Sequence, residues 1–288
     1  MVGDAPRASL DLAELAPSLE RRADGIWFAR QQAPVSYPED GNAACLAVED
    51  DSFWFRHRNR CIASAVRRFA PQDVLLDIGG GNGYVARGLT EAGIACALLE
   101  PGIDGALAAR ARGVDPVICA RLEDIGMASG SVSAAGMFDV LEHIEDEAGA
   151  LQEVHALLRP GGHLFLTVPA YAFLHSADDV AAGHFRRYTL RSLTRALVDN
   201  GFRPTYATYV FAPLPPFVLL LRTLPSVLRL RRPVDAEVQS SEHVRQGLSA
   251  RIVDQLLDIE ARRIEAGGSI AFGSSCLAVY IKDRCDGH

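Results

Sequence analysis

Short apolar runs alternate along this chain with stretches whose apolar residues recur every third or fourth position. The runs predict strands at 74–77, 95–99, 116–119, 132–137 and 163–168, and the periodic stretches predict helices at 84–92, 103–112, 147–158 and 190–200. Asn200-Gly201 stops the last of these helices, Thr205 to Val210 alternates as a sixth strand, and Ser275 to Ile281 is a final apolar strand. Such alternation argues for a mostly parallel sheet covered by helices on both faces.

Two regions fall outside that rhythm. The opening residues, with Pro6, Pro17, Pro34 and Pro38, read as a loosely ordered arm with one short helix near Leu10 to Arg22. Residues 211–272 begin with Pro213, Pro215 and Pro216 and a leucine-rich run over Phe217 to Leu230. Arg222 and the prolines make that run too short and too broken to span a membrane, which takes about 20 apolar residues. A lid over a substrate, an oligomer contact such as a homodimer interface, and an interfacial element turning Arg229, Arg231 and Arg232 to anionic lipid all remain open. A long helix follows, with Val244, Leu248, Ile252, Leu256, Ile259 and Ile264 near one face and a stop at Gly267-Gly268; that stripe is expected to pack on the core.

Composition narrows the class. At 49% apolar and 23% charged over 288 residues this is an ordinary globular chain, and a net charge of −7 argues against nucleic acid as a partner. The six cysteines form no C-x-x-C pair, a reduced, cytoplasmic pattern. Asp4, Asp11 and Glu14 interrupt any leader-like apolar stretch, so no secretory signal is expected.

The most informative residues are Asp77-Ile78-Gly79-Gly80-Gly81-Asn82-Gly83, directly after the apolar run Val74-Leu75-Leu76. Glycines at 79, 81 and 83 let the backbone take positive φ and leave no side chain in a ligand's way. A dinucleotide turn, G-x-G-x-x-G, would need glycine at 84 or 86, where Tyr84 and Ala86 stand. Asp77 beside the turn would repel a pyrophosphate and suits a ligand with an ammonium and a sulfonium, as in S-adenosylmethionine (SAM). The next strand ends in Glu100, about 20 residues beyond the turn, where an acidic side chain accepts ribose hydroxyls in nucleotide-binding α/β folds. An ordinary tight turn and a solvated loop glutamate are the competing accounts.

With these residues the chain resembles the class I SAM-dependent methyltransferases, in particular their small-molecule subgroup. Phe138-Asp139-Val140-Leu141-Glu142-His143-Ile144-Glu145-Asp146 resembles the segment after the fourth strand, and Leu157-Leu158-Arg159-Pro160-Gly161-Gly162 the lead into strand five. Ser52-Phe53-Trp54-Phe55-Arg56, Val168-Pro169-Ala170 and Gly183-His184-Phe185-Arg186-Arg187-Tyr188 match further family features, so the likeness spans 49–210 and resumes at 273–282. Departures occur at Val132-Ser133, at Leu122 to Met127 and at His175-Ser176. The resemblance implies an α/β Rossmann-like three-layer sandwich around a seven-stranded, mostly parallel sheet with the last strand antiparallel and beside strand five, plus a helical insertion. It divides the chain into an arm (1–48), a SAM-binding core (49–210), the insertion (211–272) and a final strand and tail (273–288). It also implies that Asp77, Gly79, Gly81, Asn82 and Gly83 hold the methionine part, Glu100 the ribose, and Leu122, Glu123 and Phe138 the adenine side.

Methyl transfer to oxygen or nitrogen asks for alignment and for a base, most often histidine. His143 follows the fourth strand and His184 the fifth, so both belong at the ligand-binding edge of the sheet. His184 is the first candidate for base, with His143 and Tyr188 as further catalytic candidates and Asp179, Arg186 and Arg187 as acceptor contacts. The competing reading pairs the arginines with Asp178, Asp179 or Glu142 and makes Gly183-His184 a structural turn. Glu142, Glu145, Asp146 and Asp179 raise a metal, but acids also suit a helix N-terminus, and no metal is expected. Arginines around 56–60 and 186–195 favour an anionic or phosphate-carried, even lipid-linked, acceptor if they face the cleft. The expected activity is methyl transfer to a small molecule, with peripheral membrane contact left open. The alternatives are a nicotinamide-dependent oxidoreductase, or a SAM-binding partner protein without catalysis.

Overall fold

The structure, a computed structural model, describes residues 10–29, 49–50, 52–70, 74–227 and 248–283. Its centre is one nine-stranded sheet: β1 (Leu19–Arg21), β2 (Trp27–Ala29), β3 (Leu75–Ile78), β4 (Cys96–Leu99), β5 (Val117–Cys119), β6 (Val132–Phe138), β7 (Leu158–Pro169), β8 (Phe202–Val210) and β9 (Ser275–Lys282). The spatial order is β1-β2-β5-β4-β3-β6-β7-β9-β8. The strands from β5 to β7 pair in parallel, and β9 lies antiparallel between β7 and β8.

Successive side chains of a strand point to opposite faces, and the central strands use both. Leu76, Ile78, Ala97 and Leu99 face one hydrophobic layer, with Leu151 and Val154 of α4 (Glu147–Leu157) and Leu193 and Leu197 of α6 (Leu190–Asp199). Leu75, Cys96 and Leu98 face the other, which holds α1 (Phe53–Phe69), α2 (Tyr84–Glu91), α3 (Ile103–Ala111) and α7 (Leu248–Glu265). A short α5 (Ala177–Ala181) sits in the loop after β7. This is the expected three-layer sandwich, and burial on both faces explains why the strands read as unbroken apolar runs. No helix among the described residues is long and apolar enough to cross a membrane.

The sheet is wider than the expected seven strands. The anticipated helix at Leu10 to Arg22 is only a turn, Leu12–Leu15, and the chain then enters the hairpin β1–β2. Gly25 at φ 85 makes the hairpin turn, and Asp24 accepts from the Ile26 N–H at 2.9 Å. Leu12, Ala16 and Leu19 bury against the sheet, so this part of the N-terminal region belongs to the core. The remainder of the expected arm lies outside the described residues.

The long C-terminal helix exists, rotated from the expected stripe. Val253, Leu257, Ala261 and Ile264 are buried, whereas Ile252, Leu256 and Ile259 are exposed. The rotation follows from Glu260, which is buried. One of its oxygens lies 2.7 Å from His57 Nε2 and accepts from the Phe211 N–H at 2.6 Å; the other accepts from the Ala212 N–H at 2.7 Å. Arg60 of α1 adds ion pairs to Asp258 and Glu265 at 2.6 and 2.7 Å. Leu248's side chain and Val244 lie outside the described part, as do Arg229, Arg231 and Arg232.

Glu260→Ala is therefore expected to destabilise the fold by about 3–5 kcal/mol, because it strands two backbone donors and His57 in the interior. Urea unfolding of variant and parent measures this, and equal midpoints would show that the clamp does not hold α7.

Candidate active site

The functional edge is where β3, β4, β6 and β7 end. After β3, the Gly79 and Gly80 N–H groups both donate to the Leu99 carbonyl, at 2.7 and 3.2 Å, and Gly83 donates to Gly80 at 2.9 Å. Gly79, Gly81 and Gly83 have φ of 70, 52 and 74. A Cβ on Gly79 would approach Val140 Cγ2 to 2.8 Å, and one on Gly83 would approach Ala109 Cβ to 2.7 Å, so the turn admits only glycine at these two positions. Asn82 is buried at its tip, where its carbonyl accepts from Arg112 at 3.3 Å.

Glu100 is buried at the end of β4 and bridges two loops. One oxygen accepts from the Gly81 N–H at 2.9 Å and the other from the Gly102 N–H at 2.8 Å. Asp77 is 1% exposed, and its Oδ2 meets no hydrogen-bond partner among the described residues. Burial pushes its carboxyl up to about 7, with Arg58 pulling down and Glu100 adding to the rise.

The expected adenine side is rearranged. Leu122 and Glu123 lie in a 3-10 turn, Leu122–Asp124, with Leu122 half-buried. Glu123 is exposed and pairs with Arg121. The acidic atom left buried and unpartnered is Asp124 Oδ2 instead, one residue further on. Phe138 is buried in the layer of α1 and α2, its ring occupying the space a side chain at Gly136 would fill.

Among the described residues, three non-glycine residues take positive φ, each at or just past a strand end on this edge: Asp139 directly after β6, Tyr171 two residues after β7 and Phe211 directly after β8, at φ 57, 58 and 63. Such strain concentrates where the chain must present groups to a ligand. Asp139 is held by a pair with Arg58 of α1, whose guanidinium lies over Trp54 and Phe55 at 4.7 and 5.1 Å. Beside them Glu142 is fully buried with neither carboxylate oxygen partnered by any other described residue, and burial, then Asp139, raises its carboxyl well above the usual range.

His143 and His184 meet edge to face, their ring centroids 4.6 Å apart, so the two histidines named from sequence share one wall. Burial, then His184, pushes His143 down to about 4. His184 Nδ1 lies 2.8 Å from Asp179. Asp179 also receives Arg187 through two bonds at 2.7 and 3.0 Å and the Ser176 N–H at 2.8 Å, completing a capping box on α5. Burial alone would raise the Asp179 carboxyl, but the bonds from His184 and Arg187 outweigh it and hold it well below the usual range.

The acceptor-side candidates are bonded within the protein. Asp179 and Arg187 satisfy each other, and Arg187 spends a further N–H on the Ala170 carbonyl at 3.1 Å. Arg186 donates to the Glu145 carbonyl at 2.8 Å and lies 3.4 Å from Glu147. Tyr188 is buried, its hydroxyl donated to Glu147, which makes it an anchor for the loop rather than an exposed acid or base. In the basic run at 56–60, His57 and Arg58 are buried on Glu260 and Asp139, whereas Arg60 pairs with Asp258 and Glu265 at the surface and Arg56 is exposed. Asp146 caps α4 through the Gly149 N–H at 3.0 Å, the helix-terminus role that was the alternative to a metal ligand. The pairings that sequence reasoning missed join residues far apart in the chain.

A methyltransferase-domain family profile matches residues 54–207. A Mycolicibacterium smegmatis protein named an S-adenosylmethionine-dependent methyltransferase is 28% identical over 174 residues, 59% of this chain and 66% of that protein. A Mycobacterium tuberculosis protein of the same description is 26% identical over 186 residues, 63% of this chain and 67% of its own. The matched part thus spans about two thirds of the length of these curated relatives. Among solved structures, a Haloferax volcanii methyltransferase in complex with its Trm112 activator superposes with a TM-score of 0.54 at 16% identity, over 87% of this chain and 96% of that one. Phosphoethanolamine N-methyltransferase 2 of Haemonchus contortus, bound to S-adenosyl-L-methionine, gives 0.52 at 16% identity, over 87% and 58%.

Asp179→Asn is expected to cost about 3–5 kcal/mol at pH 7, since it breaks a buried charge pair. Because the folded carboxyl is held low, that advantage is complete above the unfolded value of about 4 and fades as pH falls towards the folded one. Denaturant unfolding of both proteins at pH 7 and pH 3 should show the gap narrowing on acidification; no gap at pH 7 would leave Asp179 without a structural role.

Proposed function

Since this chain belongs to the class I SAM-dependent methyltransferases and takes SAM as its cofactor, we propose that it transfers a methyl group to an oxygen or nitrogen of a small acceptor seated against the His143–His184 wall. One observation carries the placement: a buried Asp77 carboxylate whose Oδ2 has no hydrogen-bond partner among the described residues, beneath a turn that admits only glycine at 79 and 83. A cationic ligand answers such a carboxylate, and a side chain at Gly79 or Gly83 would fill the cradle, so the residues fit SAM. Asp77 would take the ammonium, Glu100 the ribose hydroxyls, and Asp124 the adenine side.

SAM, when bound, supplies a methyl group on a positively charged sulfur, ready for in-line displacement. The protein's part is alignment, exclusion of water and the acceptor's proton. Asp179 fixes the His184 ring through Nδ1, which leaves Nε2 as the atom to receive that proton. His143, held neutral near pH 7, stands beside it as a second acceptor.

Phe173, Val180 and Phe185 are exposed around this wall, which favours an acceptor with an apolar body, including a lipid-linked one. The two guanidiniums nearest this wall are already engaged, Arg187 with Asp179 and Arg186 with Glu145 and Glu147. The helical segment 215–227 is the lid in this reading: the Thr223 hydroxyl donates to the Leu174 carbonyl at 3.1 Å, and Ser226 accepts from the Ala177 N–H at 2.9 Å.

Two measurements test this. If SAM binds the ionised form of Asp77, its affinity should fall about tenfold per pH unit below about 7, and the fall should vanish in Asp77→Asn. Calorimetry across pH 5–8 reads it, and a flat profile for the parent protein would remove Asp77 from the site. His184→Ala should keep SAM affinity and lower turnover by about 10²–10⁴. Full turnover in that variant would pass the proton-accepting role to His143.

A further inference from the structure

We propose that Glu142, His143 and His184 form a site for a divalent transition-metal cation in the acceptor wall. Glu142 and His143 lie on the 3-10 turn Leu141–His143 after β6, and His184 comes from the loop after β7. One ligand atom from each, all within 4.8 Å of one another, converges from these two loops. Ligand atoms about 2.1 Å from one ion lie roughly 3–3.5 Å apart, so binding would draw the three side chains inwards.

Glu142 is the reason to expect a cation. It is fully buried, and neither oxygen meets a hydrogen-bond donor on any other described residue. The nearest guanidiniums are committed elsewhere, Arg58 to Asp139 and Arg187 to Asp179. A buried carboxylate in this state is answered by protonation or by a cation.

The imidazoles have the support that metal-bound histidines carry. His184 is oriented by the Asp179 carboxylate, itself fixed by Arg187 and Ser176, and His143 bonds the Ala182 backbone. Both rings are half-buried, which leaves an approach from the cleft.

A second cluster shows what a filled site looks like. His57, Cys61 and Glu260 are also close together and buried, but Glu260 already accepts from two backbone N–H groups and meets His57, so it needs no ion. Two imidazoles and one carboxylate suit zinc, manganese, iron(II) or cobalt better than magnesium or calcium, which prefer all-oxygen sets. An ion held by His184 takes the Nε2 lone pair, so in the loaded protein the ion, by coordinating an acceptor oxygen and lowering its pKa, replaces His184 as the means of removing the proton. This use of the ion rests on the methyltransferase reading; the site itself does not.

Chelator-treated protein titrated with cobalt(II), followed by visible absorption and calorimetry, tests the site. One equivalent should bind the parent protein, with affinity at least tenfold weaker in Glu142→Gln and in His184→Asn and unchanged in Cys61→Ser. SAM titration of the same samples should give the same affinity throughout. Absence of saturable cobalt binding to the parent would overturn the site. So would binding that persists unchanged in Glu142→Gln and His184→Asn, or that is lost only in Cys61→Ser. Should Glu142→Gln fail to fold, His184→Asn decides alone, since its ring is partly exposed. Cobalt binding without SAM binding would sustain the metal site and sink the methyltransferase reading.

Discussion

The buried guanidinium of Arg58 governs the carboxyl edge of the sheet. It pairs with Asp139, and its charge also pulls on Asp77 and Glu142, so one cation serves three acids drawn from β3 and from the turn after β6. Removing it would leave those carboxyls facing one another in a medium that screens poorly. Arg58 is in turn held by aromatic faces, Trp54 and Phe55, from the turn of helix just before it. The aromatic lead-in of α1 therefore supports the chemistry at the opposite end of a sequence gap of 81 residues.

Local pattern carried the fold well because the central strands are apolar throughout and the helices between them are amphipathic. β3 to β9 stand within a few residues of their expected positions, and the glycine turn sits where its spacing placed it. The signal failed where a charged residue was buried. Ile252, Leu256 and Ile259 look like an inward stripe. That impression inverts once His57 meets Glu260, because a polar contact then sets how α7 rotates. Partners about 200 residues apart leave no trace in a window of 18.

The wall of the site repeats that lesson on a smaller scale. His143 and His184 were legible as a pair because each follows a strand at the same sheet edge. Asp179, Arg186 and Arg187 were legible as a polar group, yet their side chains bond to the protein and shape the loop that carries His184. The ion pairs mould the wall, and the histidines with the exposed Phe173, Val180 and Phe185 form what a ligand would meet.

The place of β9 has a consequence for the order in which the protein can form. It lies between β7 and β8, although both precede it in the chain. Until residues 275–282 leave the ribosome, β7 and β8 cannot take their final separation, and two long strands present unpaired edges. The helix that clamps onto α1 is made just before, so the same late stretch delivers both the missing strand and its cover. A nascent chain halted before that point exposes apolar edges that neighbouring chains can pair with, and its escape from aggregation depends on how quickly synthesis finishes.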